Sequence, residues 1–330
     1  MKLLTHESQW HGGQTVVAFG MFDGVHEGHA KLMRSAAEIA ALQGLTSMVY
    51  TFSTHPMATY APDRVPPQLE TRSEKVCSIA RQGVDVAVLR PFDAAYGAQT
   101  PEEFVRAFAA ALHPCHVVIG FNYSFGAKGA GKAEDMIRLG ETYGFATHVV
   151  GEVCMGGAPV SSTRVRAAVL RGDMETAAQL LGRHYTLSGV VIHGKKLGRR
   201  LDFPTANLSW SAGKAIPPRG VYAARACLCG RWYMAAVNIG AHPTAPEGPP
   251  TIEANLLDYE GKEFYGSHVR LVLLTRIRGE RRFDSLQALR EEVLRNREQV
   301  RGYFGGRPMR KCSGKEGRKA PAGAENPAKK

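Results

Sequence analysis

The chain has 330 residues, 44% of them apolar and 22% charged, a composition that supports two globular domains with cores of their own and excludes a disordered or fibrous protein. Residues 1–11 are polar without an apolar leader core, and no run approaches the roughly 20 apolar residues of a spanning helix, so a cytoplasmic protein with no membrane partner is expected. Half of the net charge of +12 lies in the Gly-, Pro- and Ala-rich stretch 307–330, which argues for a disordered, solubilising tail and against a specific nucleic-acid partner.

In chain order, the apolar run Thr15–Phe19 reads as a strand and residues 30–42 as a helix, with a Gly-rich loop between them. Short β-branched runs at 46–52, 84–89, 116–119 and 146–150 then alternate with helical patterns at 73–82, 101–112 and 131–143. Such alternation predicts an α/β doubly wound parallel sheet, whose ligands bind beyond the carboxyl ends of the strands. Loops 120–126 and 161–166, leaving the fourth and fifth strands, should converge on the loop that leaves the first. A short helix at 174–181 closes this domain, placed at 1–182. Strand-like runs at 186–193, 220–228, 232–239, 251–257 and 267–274 are separated by Gly/Pro turns and followed by one helical pattern at 285–301. They predict a small antiparallel β-barrel with a C-terminal helix over 183–304, and the tail over 305–330. The six cysteines lack Cys-x-x-Cys spacing and are expected as free thiols, Cys227 and Cys229 alternating along one strand face.

His26 and His29 fall where the first strand runs into its helix. A helix N-terminus presents unpaired N–H groups and about half a positive charge, and two imidazoles at i, i+3 add donors, so the place suits a phosphate. The spacing alone also fits a capping or surface pair. A zinc site is disfavoured, because the metalloprotease spacing His-Glu-x-x-His is one residue longer and no third ligand is visible. Downstream, Gly194-Lys-Lys-Leu-Gly198-Arg199 is a loop suited to phosphates. Thr205 and Asn207 share one side of a strand and offer the oxygen ligands that Mg²⁺ prefers, although a basic surface turn before a strand would read the same way.

Phe19-Gly-Met-Phe-Asp-Gly-Val-His-Glu-Gly-His29 resembles the His-x-Gly-His signature of the nucleotidyltransferase superfamily, in the form found in bacterial FAD synthetases. Ser161-Ser-Thr-Arg-Val-Arg166 is similar to that family's second phosphate motif, and Asn122 lies in its Gly-x-Asn-Phe-x-Phe-Gly loop. The resemblance implies nucleotide contacts from Gly20, Phe22, Asp23, Gly24, Asn122, Ser162, Thr163 and Arg166, with His26 and His29 at the reacting phosphates. Gly194 to Asn207 resembles the Gly-Arg-x-x-x-x-Pro-Thr-Ala-Asn motif of riboflavin kinases. That likeness implies ATP contacts from Gly194, Gly198 and Arg199, Mg²⁺ on Thr205 and Asn207, and Glu253 as the catalytic carboxylate.

Together the resemblances cover residues 15–303 and imply a bifunctional riboflavin kinase/FAD synthetase: riboflavin is converted to FMN, and FMN to FAD, with ATP as co-substrate and Mg²⁺ as cofactor. A monomer or weak homo-oligomer is expected. Ser53, Tyr123, Ser124, Asp202 and Asn255 depart from the usual patterns, so an enzyme retaining one activity is an alternative reading. A flavin- or nucleotide-binding regulator that contacts nucleic acid through the basic tail is another.

Overall fold

Six strands form the N-terminal sheet: β1 (Lys2–Leu4), β2 (Thr15–Phe19), β3 (Thr46–Phe52), β4 (Val86–Arg90), β5 (Pro114–Gly120) and β6 (Ala146–Val150). All pair in parallel, in the order β1-β4-β3-β2-β5-β6. The helices α1 (Glu27–Gln43), α2 (Met57–Tyr60), α3 (Arg72–Ala80), α4 (Ala94–Gly97), α5 (Pro101–Leu112) and α6 (Ala133–Tyr143) lie in the crossovers. A hairpin of β7 (Cys154–Met155) and β8 (Ala158–Pro159) then leads to α7 (Ser162–Arg171) and α8 (Met174–Leu181). This is a computed structural model, and it describes residues 1–193, 205–241, 248, 250–261 and 264–305. The sequence-based assignments at Gly194, Gly198, Arg199 and Asp202, and the tail from residue 306, lie outside the described residues.

Strand β2 is buried at all five positions because both faces of the sheet are covered. Val17 and Phe19 join a cluster with Phe104 and Phe108 of α5, while Val16 and Ala18 join Met33 and Ala36 of α1 on the other face. Helix α1 stops at Gly44, whose φ of 68° is the left-handed closure that glycine adopts without strain. Helix α5 starts with Pro101 at its first turn and a reciprocal Thr100–Glu103 capping box. The strand order reverses at β2, with β3 on one side and β5 on the other, so the loops after β2 and β5 flank a crevice. The sequence reading did not include β1, the short helices α2 and α4, or the small hairpin before Ser161, and it placed 161–166 in a loop where Ser162 opens helix α7. Segments as short as β1, α2, α4 and the hairpin strands carry no period.

The second architecture is a closed antiparallel barrel of β9 (Thr186–Ile192), β10 (Thr205–Ser209), β11 (Gly220–Leu228), β12 (Arg231–Gly240), β13 (Thr251–Leu256) and β14 (His268–Gly279), in the order β10-β13-β12-β11-β14-β9. Alternation fixes its faces: Ala206, Leu208, Val237, Ile239, Ile252 and Ala254 are buried and in mutual register. The C-terminal helix α9 (Leu286–Tyr303), capped by the Ser285 hydroxyl, packs Val300 against Ala223 and Leu257. Cys229 corrects one expectation, because it lies beyond the end of β11. With φ of 48°, followed by Gly230 at 76°, it forms the tight turn into β12, and a two-residue turn of this hand matches the strand twist.

Contacts divide the described chain into two units, and the first takes in Met1–Leu170, Thr176–Arg183 and also Ala212–Ile216. That last strap lies far along the sequence, between β10 and β11, where a single cut near residue 182 would not place it. Gln68 N–H donates to Gly213 O (2.7 Å), and Ala215 N–H donates to Gln68 O (2.8 Å). Lys214 Nζ donates to Leu69 O (2.8 Å) and meets Glu74 Oε2 at 2.5 Å, with both side chains largely buried. Glu74 also completes the capping box that starts α3. Lys214→Met should therefore leave a buried carboxylate without its cation and destabilise the first unit by about 3 kcal/mol. Urea unfolding followed by a probe in that unit checks this, and an unchanged midpoint refutes it.

Candidate active site

In the first unit, His26 is the N-cap of α1, with extended backbone (φ −72°, ψ 173°), and its Nδ1 accepts the His29 N–H at 3.3 Å. The two rings stack with centroids 3.7 Å apart, and His29 meets Phe22 edge to face at 5.2 Å. Gly28 lets them approach, since a Cβ there would stand 3.2 Å from the His26 ring. Burial, helped by the Arg183 charge, pushes the His26 imidazole down to about 4. Burial, then His26, Lys75 and Arg183, holds His29 well below the usual range. Both rings are thus neutral at pH 7 and act as hydrogen-bonding groups rather than cations. His29 Nδ1 is buried with no hydrogen-bond partner among the described residues.

The loop between β2 and α1 is braced from three directions. The Asp23 carboxylate, 5% exposed, accepts the Leu69 N–H (2.9 Å), the Glu70 N–H (3.3 Å) and Arg166 Nη2 (2.9 Å). The Ser162 hydroxyl donates to Asp23 O at 2.8 Å. Arg183 donates to Gly24 O (2.7 Å), Val25 O (3.0 Å) and Glu70 Oε1 (2.6 Å). These bonds hold a strained backbone, with positive φ at the non-glycine residues Phe22 (48°) and Val25 (33°), on either side of Gly24 (86°), which adopts it freely.

A cleft of about 640 Å³ opens above this loop. Gly20, His26, His29, Asn122 and Ser162 line it, and the rings of Phe52, Phe92 and Tyr60, in edge-on contact, give it an aromatic wall. The structure thus brings these expected residues together, while Phe22 and Asp23 are buried within the loop, outside the cleft lining, and Thr163 is exposed in the first turn of α7. Lys75, Arg183 and the aromatic wall were missed by sequence reasoning. No motif marks them, and only the Glu-Lys pair in the capped start of α3 hinted at a placed lysine.

In the second unit, Thr205 and Asn207 share one face of β10, with Ala206 and Leu208 buried on the other. Register sets Glu253 directly opposite both Asn207 on β10 and Asn238 on β12, so the three side chains emerge together. Burial raises the Glu253 carboxyl above its ordinary value. Asn255, opposite Thr205, accepts Arg297 Nη1 of α9 at 2.8 Å. The donor set is all oxygen, which fits a hard cation such as Mg²⁺.

The first site therefore has the form of a nucleotide-binding α/β crevice and the second that of a barrel carrying a carboxylate beside oxygen ligands. Family models described as FAD synthetase and riboflavin kinase match residues 8–164 and 181–304. Among curated relatives, the bifunctional riboflavin kinase/FMN adenylyltransferase of Bacillus subtilis is 36% identical over 88% of this chain and 93% of its own. That of Escherichia coli K12 is 34% identical, with the same coverage of both chains. A crystal structure titled as a macrolide-efflux protein from Streptococcus pneumoniae superposes with a TM-score of 0.82 at 29% identity, covering 91% of this chain and 98% of that one. This chain belongs to the bifunctional riboflavin kinase/FMN adenylyltransferase family. Among the described residues no helix is long and apolar enough to cross a membrane.

Proposed function

We propose that the second unit phosphorylates riboflavin to FMN with ATP, and that the first transfers AMP from a second ATP to FMN, giving FAD and pyrophosphate. The observation that carries this reading is the match of both family models, in tandem, to a chain whose two architectures each assemble polar groups suited to phosphate chemistry. In the kinase step the riboflavin 5′-hydroxyl attacks the γ-phosphorus, the β,γ-bridging bond breaks, and ADP leaves. Glu253 accepts the hydroxyl proton, a task suited to a carboxyl raised by burial. Thr205 and Asn207 would hold Mg²⁺, which neutralises phosphate charge when bound; Gly194, Gly198 and Arg199 are assigned from sequence to the ATP phosphates.

In the adenylyl transfer an FMN phosphate oxygen attacks the α-phosphorus, and the α,β-bridging bond breaks. The nucleophile is already ionised, so no general base is required. Neutral His26 and His29, the α1 N-terminus, Asn122, Ser162, Thr163 and Arg166 position and stabilise the transferring phosphates, with Gly20, Phe22, Asp23 and Gly24 shaping the loop. The aromatic wall offers flat faces to a ring system. Cytoplasmic residence suits these substrates. Incubating the purified chain with riboflavin, ATP and Mg²⁺ should yield FMN and then FAD; FMN without FAD removes the adenylyltransferase claim, and no FMN removes the kinase claim.

A further inference from the structure

The first unit's crevice must meet several phosphate charges, yet its histidines are neutral at pH 7; beside Lys128, which lines the cleft, Arg166 and Arg183 offer cations that are each already shared with a carboxylate. Arg166 pairs with Asp23 at 2.9 Å, and Arg183 pairs with Glu70 at 2.6 Å. Lys75 differs. Its Nζ donates to two neutral oxygens, Phe52 O at 3.0 Å and Thr51 Oγ1 at 3.3 Å, and no described carboxylate lies within ion-pair distance. The Thr51 hydroxyl in turn donates to Met21 O at 3.0 Å, and both Met21 and Phe52 line the cleft. An ammonium has three donors, and two are used here. Helix α3 is fixed for the purpose: its first turn is held by the Thr71–Glu74 box and by Lys214 on Glu74.

We infer that Lys75, which stands against the cleft-lining Met21 and Phe52, is a further phosphate-binding residue of the adenylyltransferase site, its remaining donor and its charge meeting a phosphate oxyanion of the bound substrate. This rests on the reading of the first unit as an adenylyltransferase. The groups around Lys75 agree with it. Asp23 and Glu70 sustain its charge from the side of the loop, and Lys75 itself disfavours protonation of His29 and His55. Burial brings the ammonium down to about 8, so the free site loses this charge in mildly alkaline solution.

The test compares the full chain with its Lys75→Met and Lys75→Arg variants. Pyrophosphate binding at pH 7 should weaken about 10- to 100-fold in Lys75→Met, the range for a lost hydrogen bond to a charged group. FAD formation from FMN should fall by ~10²-fold in kcat/KM, as for loss of one preorganised donor. FMN formation from riboflavin should be unchanged, and Lys75→Arg should recover much of both losses. Wild-type affinity for pyrophosphate should fall as pH rises through about 8, whereas Lys75→Arg should hold its affinity, because a guanidinium stays charged. A rise confined to the KM for ATP, with lost pyrophosphate binding, assigns the triphosphate. A rise confined to the KM for FMN, with pyrophosphate binding intact, assigns the FMN phosphate.

Wild-type behaviour of Lys75→Met in both assays overturns the inference. So does an equal loss in Lys75→Arg accompanied by a lowered unfolding midpoint, which marks a structural peg. Should Lys75→Met fail to fold, the pH profile of Lys75→Arg decides, and a profile like that of wild type refutes the proposal. If the wild-type chain makes no FAD, the adenylyltransferase reading fails separately, while pyrophosphate binding still tests the lysine.

Discussion

His29→Ala should lower FAD formation from FMN by ~10²–10³-fold while FMN formation from riboflavin stays at the wild-type level. His29 is held between the His26 ring at 3.7 Å and the edge of Phe22 at 5.2 Å, so its orientation is set before substrate arrives. Its buried Nδ1 has no partner among the described residues, an arrangement that leaves hydrogen-bonding capacity unused in the free protein. Removing a neutral ring takes no charge away at pH 7, so the loss should appear mainly in kcat, where charge developing on the departing pyrophosphate is stabilised. Urea unfolding of the variant separates this effect from loss of packing on Phe22. A variant that is folded and makes FAD at the wild-type rate would remove His29 from the chemistry.

Glu253→Gln should act in the opposite sense, lowering kcat for FMN formation by ~10²–10⁴-fold and sparing FAD formation from supplied FMN. Glutamine keeps the shape of the side chain opposite Asn207 and Asn238 but cannot take the 5′-hydroxyl proton. The pH profile carries independent information. The base must be ionised, and burial has raised its carboxyl, so the acid limb of the kinase profile should lie above that of an ordinary glutamate and rise with pH. In Glu253→Gln that limb should vanish. If it persists, another group supplies it, and Glu253 is confined to positioning.

Much of the fold was legible because its signals are local. β2 is marked by its continuous apolar run and the barrel strands by short strand-like runs between Gly/Pro turns, and α1 by the His26 entry. The tandem order of an α/β unit and a barrel follows from the change of period after residue 182. Ends were less well placed: helix 73–82 runs Arg72–Ala80, and the strand expected to end at 274 continues to Gly279 as β14. The turn at 229–230 falls between the strands expected at 220–228 and 232–239, and only the placing of Cys229 on a strand face failed, because nothing local marks its positive φ apart from the glycine that follows it.

The candidate sites divide along the same line. His26, His29, Thr205 and Asn207 stand out in the sequence by spacing and strand parity, which are properties of neighbouring residues, whereas Glu253 was named only through the resemblance to riboflavin kinases. What the histidines are electrically could not, because their neutrality comes from burial and from Arg183 and Lys75, which are remote in the chain. The same holds for Arg166, whose partner Asp23 is 143 residues away, and for Lys214, which reaches Glu74 across 140. Sequence by itself determined which groups stand at the ends of which strands. Only the tertiary structure decided which charges are paired with a carboxylate and which, as at Lys75, are set among neutral oxygens, because desolvation and ion pairing depend on what surrounds a group in space.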